Sequence, residues 1–169
     1  MGDRDIRFYE YYLKPGYIFL NREPSNISTV VGSCVAVSLW GCKGNYGGMA
    51  HYLYPFTDNR DTATAKYGNV AINHLIKIFL DWDADRRDVG AQIFGGASLR
   101  HSTECEKIAL ENIRVARCVL ERSGIKIISE DVGGDMGRKV IYNTYSNEAI
   151  VYKTERLRGS DWYPYSHER

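Results

Sequence analysis

Apolar positions along the chain follow two patterns, one typical of helices and one typical of short strands. The helical spacing i, i+3, i+4, i+7, i+8 marks one face of a helix. It predicts a helix from about residue 64 to residue 82 and a second helix that includes residues 109–120 and is ended by Gly124. The residues that carry the two patterns are Ile72, Leu75, Ile76, Phe79 and Leu80, then Ala109, Ile113, Ala116 and Leu120.

Short apolar runs bounded by turn residues predict the strands. The short loop 41–46 contains glycine, so the strands on either side of it are expected to form a hairpin. Segment 21–28 is polar and is expected to be irregular. Many strands with two substantial helices indicate an α+β or layered α/β domain. The predicted strands are 17–20, 35–40, 47–53, 91–94, 125–128, 140–142 and 150–152.

Length and charge narrow the class of protein. The chain has 169 residues, which favours a single domain over 1–169. A net charge of +1 gives no electrostatic support for nucleic-acid or membrane-surface binding, and no apolar run is long enough to cross a bilayer. The polar first residues lack a secretory signal, so we expect a cytoplasmic protein. The polar tail 155–169 carries Trp162, Tyr163 and Tyr165 and is expected to be frayed or docked on a surface.

Four cysteines are the first candidates for chemistry. None forms a CxxC pair, and no Cys/His cluster has zinc-ligand spacing, so neither a metal site nor a disulfide framework is expected. Cys34 differs from Cys42, Cys105 and Cys118 because it directly follows Gly32-Ser33, where a turn enters an apolar strand. Such a turn exposes a thiol beside backbone N–H groups that can hold an oxyanion.

His51 lies near the end of the next predicted strand, so the hairpin is expected to bring it within hydrogen-bonding reach of Cys34. An imidazole beside a thiol can take its proton and later deliver it to a leaving group. The upstream hydroxyls of Ser28 and Thr29 can orient that imidazole. From these residues alone, a purely structural cysteine and histidine remain the alternative.

Beyond these residues, several blocks occur in the order that is typical of one family. The chain resembles CheD, the chemoreceptor glutamine deamidase of bacterial and archaeal chemotaxis, over about 17–152. The matching blocks are Gly32-Ser33-Cys34-Val35-Ala36-Val37, Gly48-Met49-Ala50-His51 followed by Leu53 and Pro55, Lys66-Tyr67-Gly68-Asn69-Val70-Ala71, Phe94-Gly95-Gly96-Ala97-Ser98, Asp131-Val132-Gly133-Gly134 and Gly137-Arg138-Lys139-Val140.

The resemblance implies roles for individual residues. Cys34 matches the nucleophile and His51 the general base. The third catalytic group of the family is a threonine at the position of Ser28, and Thr29 stands one place later. The chain departs from the family at Ala109 and Glu111, where Gly and Arg are usual; this stretch is expected to border the site or a partner surface. Nearby Asn112 is retained.

The resemblance also implies a function. It is deamidation of glutamine side chains in methyl-accepting chemotaxis receptors, with hydrolysis of glutamate methyl esters as a further activity and no cofactor. The alternative is an adaptor that binds the CheC phosphatase, alone or alongside catalysis. The implied fold is a layered sandwich of two β-sheets with flanking helices, similar to the catalytic domain of cytotoxic necrotizing factor toxins.

Overall fold

The computed structural model describes residues 5–82, 85–98 and 102–157. The aromatic tail residues Trp162, Tyr163 and Tyr165 lie outside this part of the chain. The strands are β1 (Tyr9–Tyr12), β2 (Tyr17–Asn21), β3 (Ser25–Val31), β4 (Val35–Gly41), β5 (Tyr46–Tyr52), β6 (Val89–Gly95), β7 (Lys126–Val132), β8 (Gly137–Asn143) and β9 (Glu148–Thr154). The helices are α1 (Gly68–Asp81) and α2 (Thr103–Arg122).

The strands form two mixed sheets, and the fold is α+β as the sequence predicts. A four-stranded sheet has the order β1-β3-β8-β9, and a five-stranded sheet has the order β2-β5-β4-β6-β7. Pairing is antiparallel except for β1 with β3 and β6 with β7. Both helices pack on the five-stranded sheet, which therefore lies between the helices and the four-stranded sheet.

Strand β4 shows how the layers divide its side chains. Successive side chains of a strand point to opposite faces. Val35 and Val37 contribute to the core beneath the helices, whereas Ala36 contributes to the core between the two sheets. Because both faces are covered, β4 is buried almost throughout, which explains its continuous apolar sequence.

Helix α1 begins later than the spacing predicts. Its N-cap is Tyr67, and the residues before it are tied to the end of β5. The N–H groups of Leu53 and Tyr54 both donate to the Lys66 carbonyl, at 2.9 and 3.0 Å. These bonds hold the segment preceding Gly68 as a turn and bridge.

The expectation that 21–28 is irregular was wrong, because β3 begins at Ser25. Polar residues of this strand find hydrogen-bond partners that the sequence alone does not reveal. The Ser25 N–H donates to Thr144 Oγ1 at 2.9 Å, and Asn26 Nδ2 donates to Glu10 Oε1 at 2.7 Å. Its neighbour β1 was not predicted, because most of its residues are exposed at an edge of the sheet and lack an alternating apolar pattern.

Within the described ranges, no helix combines the length and the apolar character that crossing a bilayer requires.

Candidate active site

The turn 32–34 leads the chain from β3 in one sheet to β4 in the other and carries Cys34. Two backbone bonds hold this turn against the end of β6: the Gly96 N–H donates to the Cys34 carbonyl and the Ala97 N–H to the Gly32 carbonyl, both at 2.8 Å. Gly95 has a φ of 109°, and a Cβ there would collide with the Cys34 carbonyl oxygen. Glycine is therefore required for the close approach that fixes the thiol-bearing turn.

His51 lies on β5 and shares a sheet face with Cys34. It pairs directly with Ala36 of β4 and with Tyr17 of β2. Ala36 faces the core between the sheets, and Cys34, two residues earlier, packs against the same core. Cys34 directly precedes β4, and extending the register of β4 and β5 by one residue places the thiol diagonally across from the imidazole, between the two sheets.

Thr29 is the hydroxyl that reaches the imidazole. Its Oγ1 lies 2.8 Å from His51 Nδ1, and both residues are buried. Ser28, the position implied by the resemblance, is half-buried and precedes Thr29 on β3, so its side chain points to the opposite face. The structure thus brings Thr29, and not Ser28, to His51.

The hydrogen bonds of Thr29 define the tautomer of His51. Thr29 Oγ1 donates its single proton to the Leu13 carbonyl at 2.8 Å. The same oxygen must then accept from His51, which places the imidazole proton on Nδ1. The opposite nitrogen, Nε2, is left with a lone pair that can accept a proton.

Burial keeps both candidate groups uncharged in the free protein. Desolvation raises the pKa of the Cys34 thiol to about 11, an effect partly offset by a hydrogen bond from the Cys34 backbone N–H. Desolvation lowers the pKa of His51 to about 3. At neutral pH the pair is therefore a thiol and a neutral imidazole, because an ion pair here would lose the hydration of both charges.

The expected hydrogen bond between thiol and imidazole is not made. His51 Nε2 is buried and has no hydrogen-bond partner among the described residues. The diagonal placement of Cys34 relative to His51 explains this, because Ala36 and not Cys34 stands directly opposite His51. Catalytic contacts are often loose without substrate and tighten in the enzyme–substrate complex.

Asn112 of α2 is a polar residue of the site to which the sequence analysis gave no role. Its side chain is fully buried, and Nδ2 donates to the carbonyls of Ser33 and Leu53, both at 2.9 Å. The buried Tyr52 hydroxyl donates to the Asn112 backbone carbonyl. Burial raises the pKa of Tyr52, and the nearby Cys34 raises it further. The only sequence signal was the retention of Asn112 in the family resemblance.

The two positions at which the chain departs from the family lie in different environments. Ala109 is buried, and its carbonyl lies close to Gly96 beside the turn. Glu111 is exposed and pairs with Arg114 at 2.9 Å. Ala109 therefore borders the site and is excluded from a partner surface, whereas Glu111 is available to one.

A glycine turn after β7 is bonded to the end of β6, which in turn holds the turn that carries Cys34. The Gly133 N–H donates to the Gly95 carbonyl and the Ser98 N–H to the Gly134 carbonyl, both at 2.9 Å. The buried guanidinium of Arg138 donates to Asp131 Oδ1 at 2.8 Å and to the Gly133 carbonyl at 2.9 Å. These contacts hold the turn after β7 beside the end of β6.

The remaining cysteines are separate from this site. Cys42 is exposed in the hairpin turn between β4 and β5, and Cys105 and Cys118 lie on α2. Across the described residues no group of three or more His, Cys, Asp or Glu side chains is placed to hold a metal ion.

Comparisons with known proteins identify the family of the chain. A family model described as CheD chemotactic sensory transduction matches residues 54–153. A protein of Sulfurimonas denitrificans named probable chemoreceptor glutamine deamidase CheD is 37% identical over 155 residues, covering 89% of this chain and 99% of that protein. A protein of the same name from Trichlorobacter lovleyi is 36% identical over 84% of this chain and 89% of its own length. The chain belongs to the CheD family.

Proposed function

We propose that this protein hydrolyses the side-chain amide of glutamine residues in methyl-accepting chemotaxis receptors, giving glutamate and ammonia. The names of its relatives support the reaction. The observation that carries the proposal is the hydrogen bond from His51 Nδ1 to Thr29, which leaves Nε2 unprotonated on the sheet face shared with Cys34. A thiol and a free imidazole nitrogen are the two groups that covalent amide hydrolysis requires.

In the first half-reaction, Cys34 Sγ attacks the amide carbon and its proton passes to His51 Nε2. The tetrahedral oxyanion is stabilised by the Cys34 backbone N–H, which belongs to the same residue as the attacking sulfur. His51 then protonates the departing nitrogen, the C–N bond breaks and ammonia leaves. A thioester between Cys34 and the former glutamine remains.

In the second half-reaction, water attacks the thioester while His51 Nε2 accepts a proton from it. The C–S bond breaks, the thiolate is reprotonated by His51, and the receptor carries a carboxylate. Thr29 is the orienting group: it keeps the imidazole proton on Nδ1 through both steps. The side chain of Ser28 has no part in this mechanism.

The neutral resting pair shapes the first step. Because the pKa of Cys34 is raised and the pKa of His51 is lowered, a standing thiolate–imidazolium pair is disfavoured. Proton transfer is therefore coupled to attack on the bound amide, when the developing negative charge moves from sulfur to the oxyanion. This arrangement gives reactivity with substrate and low reactivity without it.

The experiment compares the wild type with Cys34→Ala and Cys42→Ala on a receptor cytoplasmic fragment, and maps the conversion of amide to acid by mass spectrometry. Cys42 is the matched control because it is an exposed cysteine outside the site. We expect Cys42→Ala to deamidate at the wild-type rate and Cys34→Ala to be inactive. Equal activity of the wild type and Cys34→Ala rejects the thiol mechanism.

The same proposal extends to substrate and setting. Glutamate methyl esters fit the mechanism because methanol can leave in place of ammonia and the thioester is identical. The steps use only side chains and water, so the reaction requires no cofactor or metal. We propose that residues 1–169 form one domain and that it acts in the cytoplasm. We also propose that its two-sheet sandwich is related to the catalytic domain of cytotoxic necrotizing factor toxins.

A second role, binding of a CheC phosphatase, is supported by a groove between the helices. It has a volume of about 500 Å³ and includes Phe56, which is 60% exposed, together with Val115 and Arg114. Exposed aromatic and arginine side chains are enriched at protein interfaces. The test is a pull-down with CheC: the adaptor role predicts that Cys34→Ala binds normally and that Phe56→Ala binds weakly. Binding by neither the wild type nor Cys34→Ala rejects this role.

A further inference from the structure

The side chain of Asn112, on helix α2, connects two segments of the site. Its side-chain amide has two N–H groups, and both are used, one on the carbonyl of Ser33 and one on the carbonyl of Leu53. Ser33 belongs to the turn that carries Cys34, and Leu53 follows the strand that carries His51. One buried amide thus bridges the segments that bear the thiol and the imidazole.

We propose that Asn112 is a positioning residue for the deamidation reaction, setting the separation of Cys34 and His51 and the orientation of the peptide between Ser33 and Cys34. This inference rests on the thiol mechanism proposed above. Asn112 acts through the backbone and contacts neither the substrate nor the reacting atoms.

The peptide geometry gives the reason. The carbonyl of Ser33 and the N–H of Cys34 belong to the same planar trans peptide, so they point in opposite directions. When Asn112 Nδ2 holds the carbonyl at 2.9 Å, it also fixes the direction of the N–H. That N–H is the oxyanion donor of the proposed mechanism.

The second bond fixes the other segment. Asn112 Nδ2 holds the Leu53 carbonyl, while the Leu53 N–H donates to the Lys66 carbonyl at 2.9 Å. The Tyr52 hydroxyl, next to His51 in sequence, donates back to the Asn112 main chain. The end of β5 is therefore held from both sides, and a shift of α2 moves it together with the turn.

A purely structural role is the alternative, and one atom counts against it. Asn112 Oδ1 is buried and has no hydrogen-bond partner within the described residues. An unpaired buried acceptor is costly, and native proteins keep few of them. Helix packing alone does not require this amide, whereas holding two carbonyls does.

The test uses Asn112→Asp, which preserves the shape but removes both donors, and Asn112→Ala, which removes the group. Leu120→Ala is the matched control, because Leu120 is a fully buried residue further along α2 in the helix-side core. For each variant, kcat and KM on the receptor fragment and the thermal unfolding midpoint are measured, with all assays well below the lowest midpoint.

We expect both Asn112 variants to lose about 10- to 100-fold in kcat with KM within about twofold of the wild type, since misplaced reacting groups slow the chemistry without weakening binding. Leu120→Ala is expected to lower the unfolding midpoint and to keep kcat within about twofold of the wild type.

Three results overturn the proposal: kcat of the folded Asn112 variants within about twofold of the wild type, a fall of kcat in Leu120→Ala equal to theirs, or failure of the uncharged Asn112→Ala to fold while Leu120→Ala folds. The last result assigns Asn112 to stability alone. Failure of the thiol mechanism itself is recognised separately, because Cys34→Ala then remains active whatever the Asn112 variants do.

Discussion

Replacing Thr29 by valine removes one hydroxyl group and leaves the shape of the side chain almost unchanged. In the wild type this hydroxyl donates to the Leu13 carbonyl and accepts from His51 Nδ1, each at 2.8 Å. Valine makes neither bond, so the imidazole loses the group that holds its proton on Nδ1. The proton is then free to occupy Nε2, where it blocks acceptance of the thiol proton.

Thr29→Val is expected to lower both the free energy of unfolding and kcat, for two separate reasons. Two buried polar groups are left without a partner, at about 1–3 kcal/mol each, so the free energy of unfolding falls by about 2–6 kcal/mol. General base catalysis by an oriented imidazole contributes about 10²- to 10⁴-fold, and we expect Thr29→Val to lose about 100-fold in kcat. The loss is expected in kcat, since Thr29 is buried behind His51 and does not face substrate.

The assay is receptor deamidation followed by mass spectrometry, with a chemical unfolding curve for each variant. Thr29→Ser keeps the hydroxyl and should retain most of the activity. Ser28→Ala should behave like the wild type, because the Ser28 side chain lies on the other face of β3. Wild-type activity in Thr29→Val, or an equal loss in Ser28→Ala, refutes the assignment of the orienting group.

Three further predictions concern His51, Cys34 and Gly95. Burial lowers the pKa of His51 to about 3, so below pH 6.5 this histidine is protonated in the unfolded chain but stays neutral in the folded chain. Lowering the pH from 6.5 to 3 should therefore reduce the free energy of unfolding of the wild type by up to about 5 kcal/mol more than that of His51→Gln. Urea titrations at each pH measure this difference. Burial raises the pKa of Cys34 to about 11, so iodoacetamide at pH 8 should label the exposed Cys42 at least about tenfold faster than Cys34. Peptide mapping measures the two labelling rates, and faster labelling of Cys34 contradicts the neutral resting pair. Gly95→Ala should lower the free energy of unfolding by about 1–3 kcal/mol and also reduce kcat, because the added Cβ collides with the Cys34 carbonyl. Thermal unfolding measures the loss of stability, and unchanged stability contradicts the close approach of Gly95 to Cys34.

Patterned segments were predictable from the sequence, and segments stabilised by distant partners were not. The hairpin of β4 and β5 follows from two apolar runs around a short glycine loop, and both strands are confirmed. Strand β3 was missed because its polar residues are satisfied by Thr144, Glu10 and Leu13, which are far away in sequence. Strand order is likewise a long-range property that local periodicity does not carry.

The same distinction applies to the candidate site. The family motifs singled out Cys34 and His51, and hairpin geometry placed them near each other. The choice between Ser28 and Thr29 depends on strand pleating, and a shift of one residue changes the face of the sheet. The contacts of Asn112 depend on how α2 packs on the five-stranded sheet, so its two bonds to backbone carbonyls had no local sequence signature.

The path of the chain between the two sheets has a consequence for biosynthesis. Thr29 belongs to the four-stranded sheet and His51 to the five-stranded sheet, and Cys34 lies on the connection. Strand β3, which carries Thr29, pairs with β8, and β8 is translated much later because it begins only at Gly137. The sheet around Thr29 can therefore close only after residues 137–143 have been synthesised, so the proposed catalytic arrangement is not complete before that point.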